Sequence, residues 1–213
     1  MSIKNCWNCE EKVFARDHFC LNCKKIQPLN KDINFFEFLG FRNVKIDLSE
    51  LRKKFITLNR EFHPDFFYNS TELEQEASLE RSTFLNKANQ VLKDEFKRAK
   101  YLVNIFAPEI LEKKVQQSQA SLTELMELKE DLMDYNFAEG EEKTQMKVKL
   151  NSDLAELSEK MSEFSQKIDS LFEEFDNTSK EQKNEVLEKL NATLNESSYV
   201  KRLAKDFEEA LES

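Results

Sequence analysis

Glycine and proline are nearly missing from this chain, at 2 and 3 in 213 residues. So few breakers exclude a turn-rich β architecture and favour long helices, because tight reversals lean on those two residues. The five that exist, Pro28, Gly40, Pro64, Pro108 and Gly140, fall between periodic segments and mark joints. No apolar run approaches the roughly 20 residues a membrane-spanning helix needs, and the first residues carry neither a secretory apolar core nor an Arg-rich, acid-poor leader. The expectation is a cytosolic chain without a membrane partner. Positive charge is also short. A net charge of −9 argues against nucleic acid as a general partner, since phosphate binding needs a clustered basic surface.

Cysteine is absent after residue 23. All four lie in the N-terminal segment, as Cys6-x-x-Cys9 and Cys20-x-x-Cys23 with ten residues between. Each C-x-x-C pair can chelate one edge of a metal ion, and two pairs complete a tetrahedral sulfur shell. Structural zinc, one per chain on Cys6, Cys9, Cys20 and Cys23, is the expectation for a reducing compartment, where disulfides do not persist. A rubredoxin-type iron site and free or redox thiols are the alternatives. His18 stands two residues before Cys20, but four thiolates already close the shell. A segment of about 25 residues has too small a core to fold alone, so metal binding would supply its stability.

Histidine is the other scarce residue, and the second of the two stands in His63-Pro64-Asp65. Leu51, Phe55, Leu58 and Phe62 recur at i, i+4, i+7 and i+11, the spacing of one helix face. The opposite face carries Arg52, Lys53, Lys54 and Arg60 against the single acid Glu61. Pro64 has no N–H to donate and pushes His63 out of the helical region, so the helix ends and His63 and Asp65 are displayed on a loop. An acid/base dyad of His63 and Asp65 is the rival reading, but no nucleophile motif accompanies it. The chain is read as a non-enzyme.

Beyond Pro108 the pattern is long and helical. From Met146, apolar residues at Leu150, Leu154, Leu157, Met161, Phe164, Ile168, Leu171 and Phe175 alternate four and three apart. A second seam runs Val186, Leu187, Leu190, Leu194, Val200, Leu203, Phe207 and Ala210, with Asn195-Glu196-Ser197 expected to break or bend it. With a shorter helix from 119 to 137, these can close a three-helix bundle. On that shorter helix Leu125, Leu128, Leu132 and Tyr135 form the core stripe, while Leu122, Met126, Glu130 and Asp134 share a separate i, i+4 line beside Glu127. That line reads either as a solvated face with a stray methionine or as a small apolar hot spot rimmed with acid, suited to a basic partner.

The block from Phe35 to Phe106 resembles the J-domain. Phe35-Phe36-Glu37-Phe38-Leu39-Gly40 matches its first helix, Leu51 to Phe62 its basic second helix, His63-Pro64-Asp65 its loop, and Ser78 to Leu92, with Asn86-Lys87-Ala88-Asn89-Gln90-Val91-Leu92, its third helix. The resemblance implies that Lys53, Lys54, Arg60, His63, Pro64 and Asp65 meet a DnaK/HscA-type heat-shock chaperone and stimulate its ATPase. A J-domain followed by an acidic bundle is similar to the HscB/Jac-type co-chaperones of iron–sulfur cluster assembly. The stretch Leu122-Thr123-Glu124-Leu125-Met126-Glu127-Leu128-Lys129-Glu130-Asp131-Leu132 matches that family's bundle motif, although Thr123 stands where an apolar residue is usual. This implies an IscU-type scaffold partner bound by Leu122, Met126, Glu127, Glu130, Asp134 and Tyr199. Cys6-Trp7-Asn8-Cys9, with Phe66-Phe67 after the His-Pro-Asp loop, resembles the branch with an N-terminal zinc domain.

The expected fold is all-α: a zinc knuckle at 1–27, a J-domain at 32–107 and a three-helix bundle at 108–213, each with its own core. Two other functions remain at this point. One is a general J-protein whose bundle holds unfolded clients, which needs a broad apolar groove. The other is a zinc-ribbon nucleic-acid adaptor with a coiled-coil tail, which would bind with a steep salt dependence.

Overall fold

The computed structural model describes residues 3–14, 16–112 and 119–212, except the side chains of 119–122 and 124. It is built from helices, with one two-stranded antiparallel sheet of β1 (Ile3–Asn5) and β2 (Lys12–Phe14). The chain forms two compact units, Met1–Arg98 and Ala99–Ser213. The segments expected at 1–27 and 32–107 lie in the first unit, apart from residues 99–107, and the cysteine segment keeps a small core of its own at Cys6, Val13 and Cys20.

In the first unit, α1 (Phe35–Phe38) is capped by Asn34 and α2 (Leu48–Glu61) by Asp47, whose carboxylate accepts from the Ser49 N–H. Such caps satisfy N–H groups that a helix start leaves unpaired. Phe62 ends α2, and Pro64–Phe67 forms a single 3₁₀ turn. The third helix, α3 (Glu72–Leu92), begins six residues earlier than Ser78. Thr71 and Glu74 form a reciprocal capping box there. Its buried face is Ser78, Arg81, Leu85, Ala88 and Leu92, while Phe84 and Val91 flank it half-buried. Phe35, Phe36, Phe38, Leu51 and Phe62 complete the core.

The second unit takes in α4 (Glu95–Phe106) from Ala99 onward, then α5 (Pro108–Glu112), α6 (Gln119–Phe137), α7 (Gly140–Asn177) and α8 (Lys183–Glu212). Gly140 sits at φ 61°, a left-handed turn that lets α7 start with only two residues between it and the end of α6. Leu128, Leu132 and Tyr135 of α6 pack with Leu150 and Leu157 of α7 and with Val200, Leu203, Phe207 and Ala210 of α8. At about 1.5–3 kcal/mol for each fully buried large aliphatic side chain, this seam is the main source of the bundle's cohesion. The break expected at Asn195-Glu196-Ser197 does not occur: α8 is continuous there. Asn195 turns its amide back onto the Asn191 carbonyl at 2.8 Å, and Ser197 bonds the Leu194 carbonyl at 3.0 Å, so both side chains are satisfied inside the helix.

Candidate functional site

Three sets of residues carry the chemistry read from the sequence. The four cysteines converge, with all their Sγ atoms within 4.8 Å of one another. Cys6 and Cys23 are 3.6 Å apart, as are Cys9 and Cys20. A tetrahedral shell with metal–sulfur bonds of about 2.3 Å separates its sulfurs by about 3.8 Å, so the donor set fits a thiolate-preferring ion. The two halves repeat one geometry. The Cys6 N–H donates to the Glu11 carbonyl and the Glu10 N–H to the Cys6 carbonyl, as Cys20 N–H does to Lys25 and Lys24 N–H to Cys20. Glu10 and Lys24 hold the matching left-handed positions at φ 62° and 60°. Donors converge on the sulfurs as well: the Asn8 N–H and the Gln27 amide reach Cys6 Sγ at 3.4 and 3.3 Å. Burial opposes ionisation of Cys6, but hydrogen bonds from the N–H groups of Asn8 and Cys9 and from the Cys23 and Gln27 side chains together outweigh it and hold its pKa down at about 6.

His18 is not part of this shell. Its Nδ1 lies 2.6 Å from Arg81 Nη1, and its ring meets Phe38 and Phe62 edge-on at 4.9 Å each. Burial, and then the Arg81 charge, push its pKa down to about 3, so the ring is neutral and Nδ1 accepts.

The His-Pro-Asp loop is presented as expected. His63, Pro64 and Asp65 are all exposed, with the Asp65 carboxylate 3.5 Å from His63 Nδ1. Lys53 and Arg60 are exposed on α2. Lys54 is half-buried, pairing with Glu50 at 3.4 Å while its ammonium lies 5.1 Å from the Phe41 ring centre.

On α6, Met126 is 63% exposed while Leu128 is 7% exposed, so one helix divides its apolar residues between core and surface. Glu127, Glu130 and Asp134 are exposed beside Met126; the side chain of Leu122 lies outside the described residues. Tyr199, 48% exposed, stands on α8 with the Arg202 guanidinium 6.0 Å from its ring centre. Its neighbour Val200 enters the core that Leu128 and Leu132 share. Sequence reasoning missed Met133 and Phe137, which are exposed and fall on the Met126 side of α6 at 100° per residue. It also missed Arg81, Gln27 and Ser78, buried polar residues whose partners are distant in sequence.

A basic helix ending in an exposed His-Pro-Asp loop, a four-cysteine knuckle and an antiparallel bundle define a J-domain protein with a C-terminal helical bundle. No protein-family model matches the chain. It is 30% identical over 151 residues to the iron-sulfur cluster co-chaperone protein HscB of Homo sapiens, covering 67% of this chain and 60% of that protein. It is 30% identical over 126 residues to the HscB homolog of Arabidopsis thaliana, covering 59% and 49%. To the co-chaperone protein HscB homolog of Vibrio cholerae it is 34% identical over 102 residues, covering 47% and 60%. The chain thus spans about half to three fifths of the curated relatives it matches. The crystal structure of human HscB shares the fold with a TM-score of 0.71 at 22% identity, covering 96% of both chains. Chaperone HscB from Vibrio cholerae does so at 0.58 and 21%, covering 83% of this chain and 96% of that one. The chain is a homologue of the HscB co-chaperones, and its four-cysteine cluster fits the branch with an N-terminal metal domain.

Proposed function

We propose that this protein is a co-chaperone that binds an IscU-type iron–sulfur scaffold on its bundle and presents it to a DnaK/HscA-type heat-shock ATPase through its J-domain, stimulating that ATPase. The observation that carries the reading is the pairing of an exposed His63-Pro64-Asp65 loop on a basic helix with an acid-rimmed apolar line on α6. The named relatives support it. Opposite charge on the two surfaces selects different partners. Holding both on one chain makes the second contact effectively intramolecular, so two modest affinities add up to efficient delivery. The knuckle takes zinc, which closes a four-thiolate shell and leaves no open position for chemistry. The protein performs no catalysis of its own. Titration of purified iron–sulfur scaffold into the full chain tests the reading. Saturable one-to-one binding that Met126→Ala and Tyr199→Ala weaken is expected, whereas binding of unfolded polypeptides with no preference for the scaffold would favour a general J-protein.

A further inference from the structure

Arg81 is a buried charge, 2% exposed, whose polar contacts among the described residues are all neutral. Its Nε donates to the Gln27 carbonyl at 2.7 Å, Nη1 to His18 Nδ1 at 2.6 Å, and Nη2 to the carbonyls of Asp17 and Pro28 at 3.3 and 3.4 Å. Removing a guanidinium from water without a carboxylate partner is costly, and a well-packed apolar side chain would hold two segments together with less penalty. What Arg81 does that an apolar residue cannot is fix several carbonyls and two rings at once. Its guanidinium carbon lies 5.7 Å from the Phe62 ring centre and 6.0 Å from that of Phe38.

Those contacts join the cysteine cluster to the His-Pro-Asp loop. On one side, the Gln27 carbonyl is held by Arg81 while its side-chain amide donates to Cys6 Sγ at 3.3 Å. On the other, Phe62 is the residue before His63, and its carbonyl accepts from Ser78 Oγ at 2.7 Å, three residues before Arg81 on the same helix. The far end of the loop is tied as well. Lys25 pairs at 2.9 Å with the buried Glu74, which also closes the capping box on Thr71. Residues 63–70 are therefore flanked on both sides by α3 contacts, Ser78 and Arg81 at Phe62 and Glu74 at Thr71, and of these Arg81 and Glu74 also hold the knuckle.

We propose that Arg81 is a positioning residue through which metal binding in the knuckle sets the conformation of the His63-Pro64-Asp65 loop, and so the protein's affinity for its chaperone. The inference rests on the J-domain reading above for its consequence, but the coupling itself can be read without the chaperone. Coupling of this kind is reciprocal: if metal raises chaperone affinity, chaperone raises metal affinity by the same factor.

The test is NMR on the full-length protein, zinc-loaded and chelator-stripped, following the imidazole signals of His63 and the methyls of Leu85 and Leu92. Stripping should shift the His63 signals while the α3 core methyls stay in place. Chaperone affinity should fall about fivefold or more. Arg81→Gln in zinc-loaded protein should reproduce the His63 shift. If that variant fails to fold, Lys25→Met, which cuts the second tie, should give the shift in its place. Unmoved His63 signals on zinc removal would overturn the proposal. So would outright unfolding of α3 at the working temperature, seen as loss of the dispersed core methyl signals, because the His63 shift would then follow from a collapsed fold and not from the Arg81 contacts. Loss of the J-domain reading shows separately, as a His63→Gln protein that binds the chaperone normally.

Discussion

Asn191 and Ile110 are 81 residues apart in sequence and joined by one buried hydrogen bond, Asn191 Nδ2 to the Ile110 carbonyl at 2.8 Å. It ties the middle of α5 to the first third of α8. Asn191→Ala would leave that carbonyl without its donor, at a cost of about 1–3 kcal/mol. Urea unfolding of the variant should show the midpoint lowered with the slope unchanged.

Met126 and Tyr199 are exposed while Leu132 is buried, so substitutions at the three test the proposed binding face against the core. The first two are exposed, so Met126→Ala with Tyr199→Ala should change stability by no more than about 0.5 kcal/mol per site. The pair should cost about 2 kcal/mol of scaffold affinity, roughly thirtyfold. Leu132→Ala is the contrast, a buried side chain whose truncation should destabilise the bundle by about 2–5 kcal/mol. Calorimetric titration of scaffold alongside thermal melts checks both halves.

Metal removal should lower the melting of the first unit and leave the second alone. Separate cores would have confined the damage to the knuckle, but Arg81 and the Lys25–Glu74 pair bind the knuckle into the helical unit. Each kcal/mol lost should shift the first transition by about 4–8 °C, measured by calorimetry on zinc-loaded and stripped protein.

Asp153 gives a pH-dependent prediction in the metal-free unit. One of its carboxylate oxygens is buried and has no hydrogen-bond partner among the described residues. Burial, reinforced by Asp131, raises its pKa above the ordinary 3.8. A carboxyl with a raised folded pKa favours the fold below its unfolded value and loses that contribution as pH rises through the folded one. Asp153→Asn should therefore stabilise the bundle by a few tenths of a kcal/mol at pH 7 and have little effect well below the unfolded pKa, at about pH 2.5, seen in melts at the two pH values.

What could be read from sequence depended on how local the physics was. The cysteine spacing, the stop imposed by Pro64 and the division of α6 into core and surface faces follow from neighbours a few residues apart, and the structure places those residues accordingly. The early start of α3 was equally local, since Thr71-x-x-Glu74 is a capping box that the apolar stripe alone did not reveal. The continuity of α8 through Asn195 was misread because polar residues favour turns until their side chains find partners one turn back. Arg81 was illegible for a different reason. Arginine is seldom buried, and its partners lie 53 to 64 residues away in a segment expected to stand apart.

Coupling to a heat-shock ATPase through the exposed His63-Pro64-Asp65 loop is open to direct assay. The direct measurement is the steady-state ATP turnover of a DnaK/HscA-type chaperone with its iron–sulfur scaffold, with and without this protein. Intact protein should accelerate turnover, and His63→Gln or Asp65→Asn should abolish the acceleration while circular dichroism and scaffold binding stay unchanged. Equal acceleration by the intact protein and both variants would contradict the account.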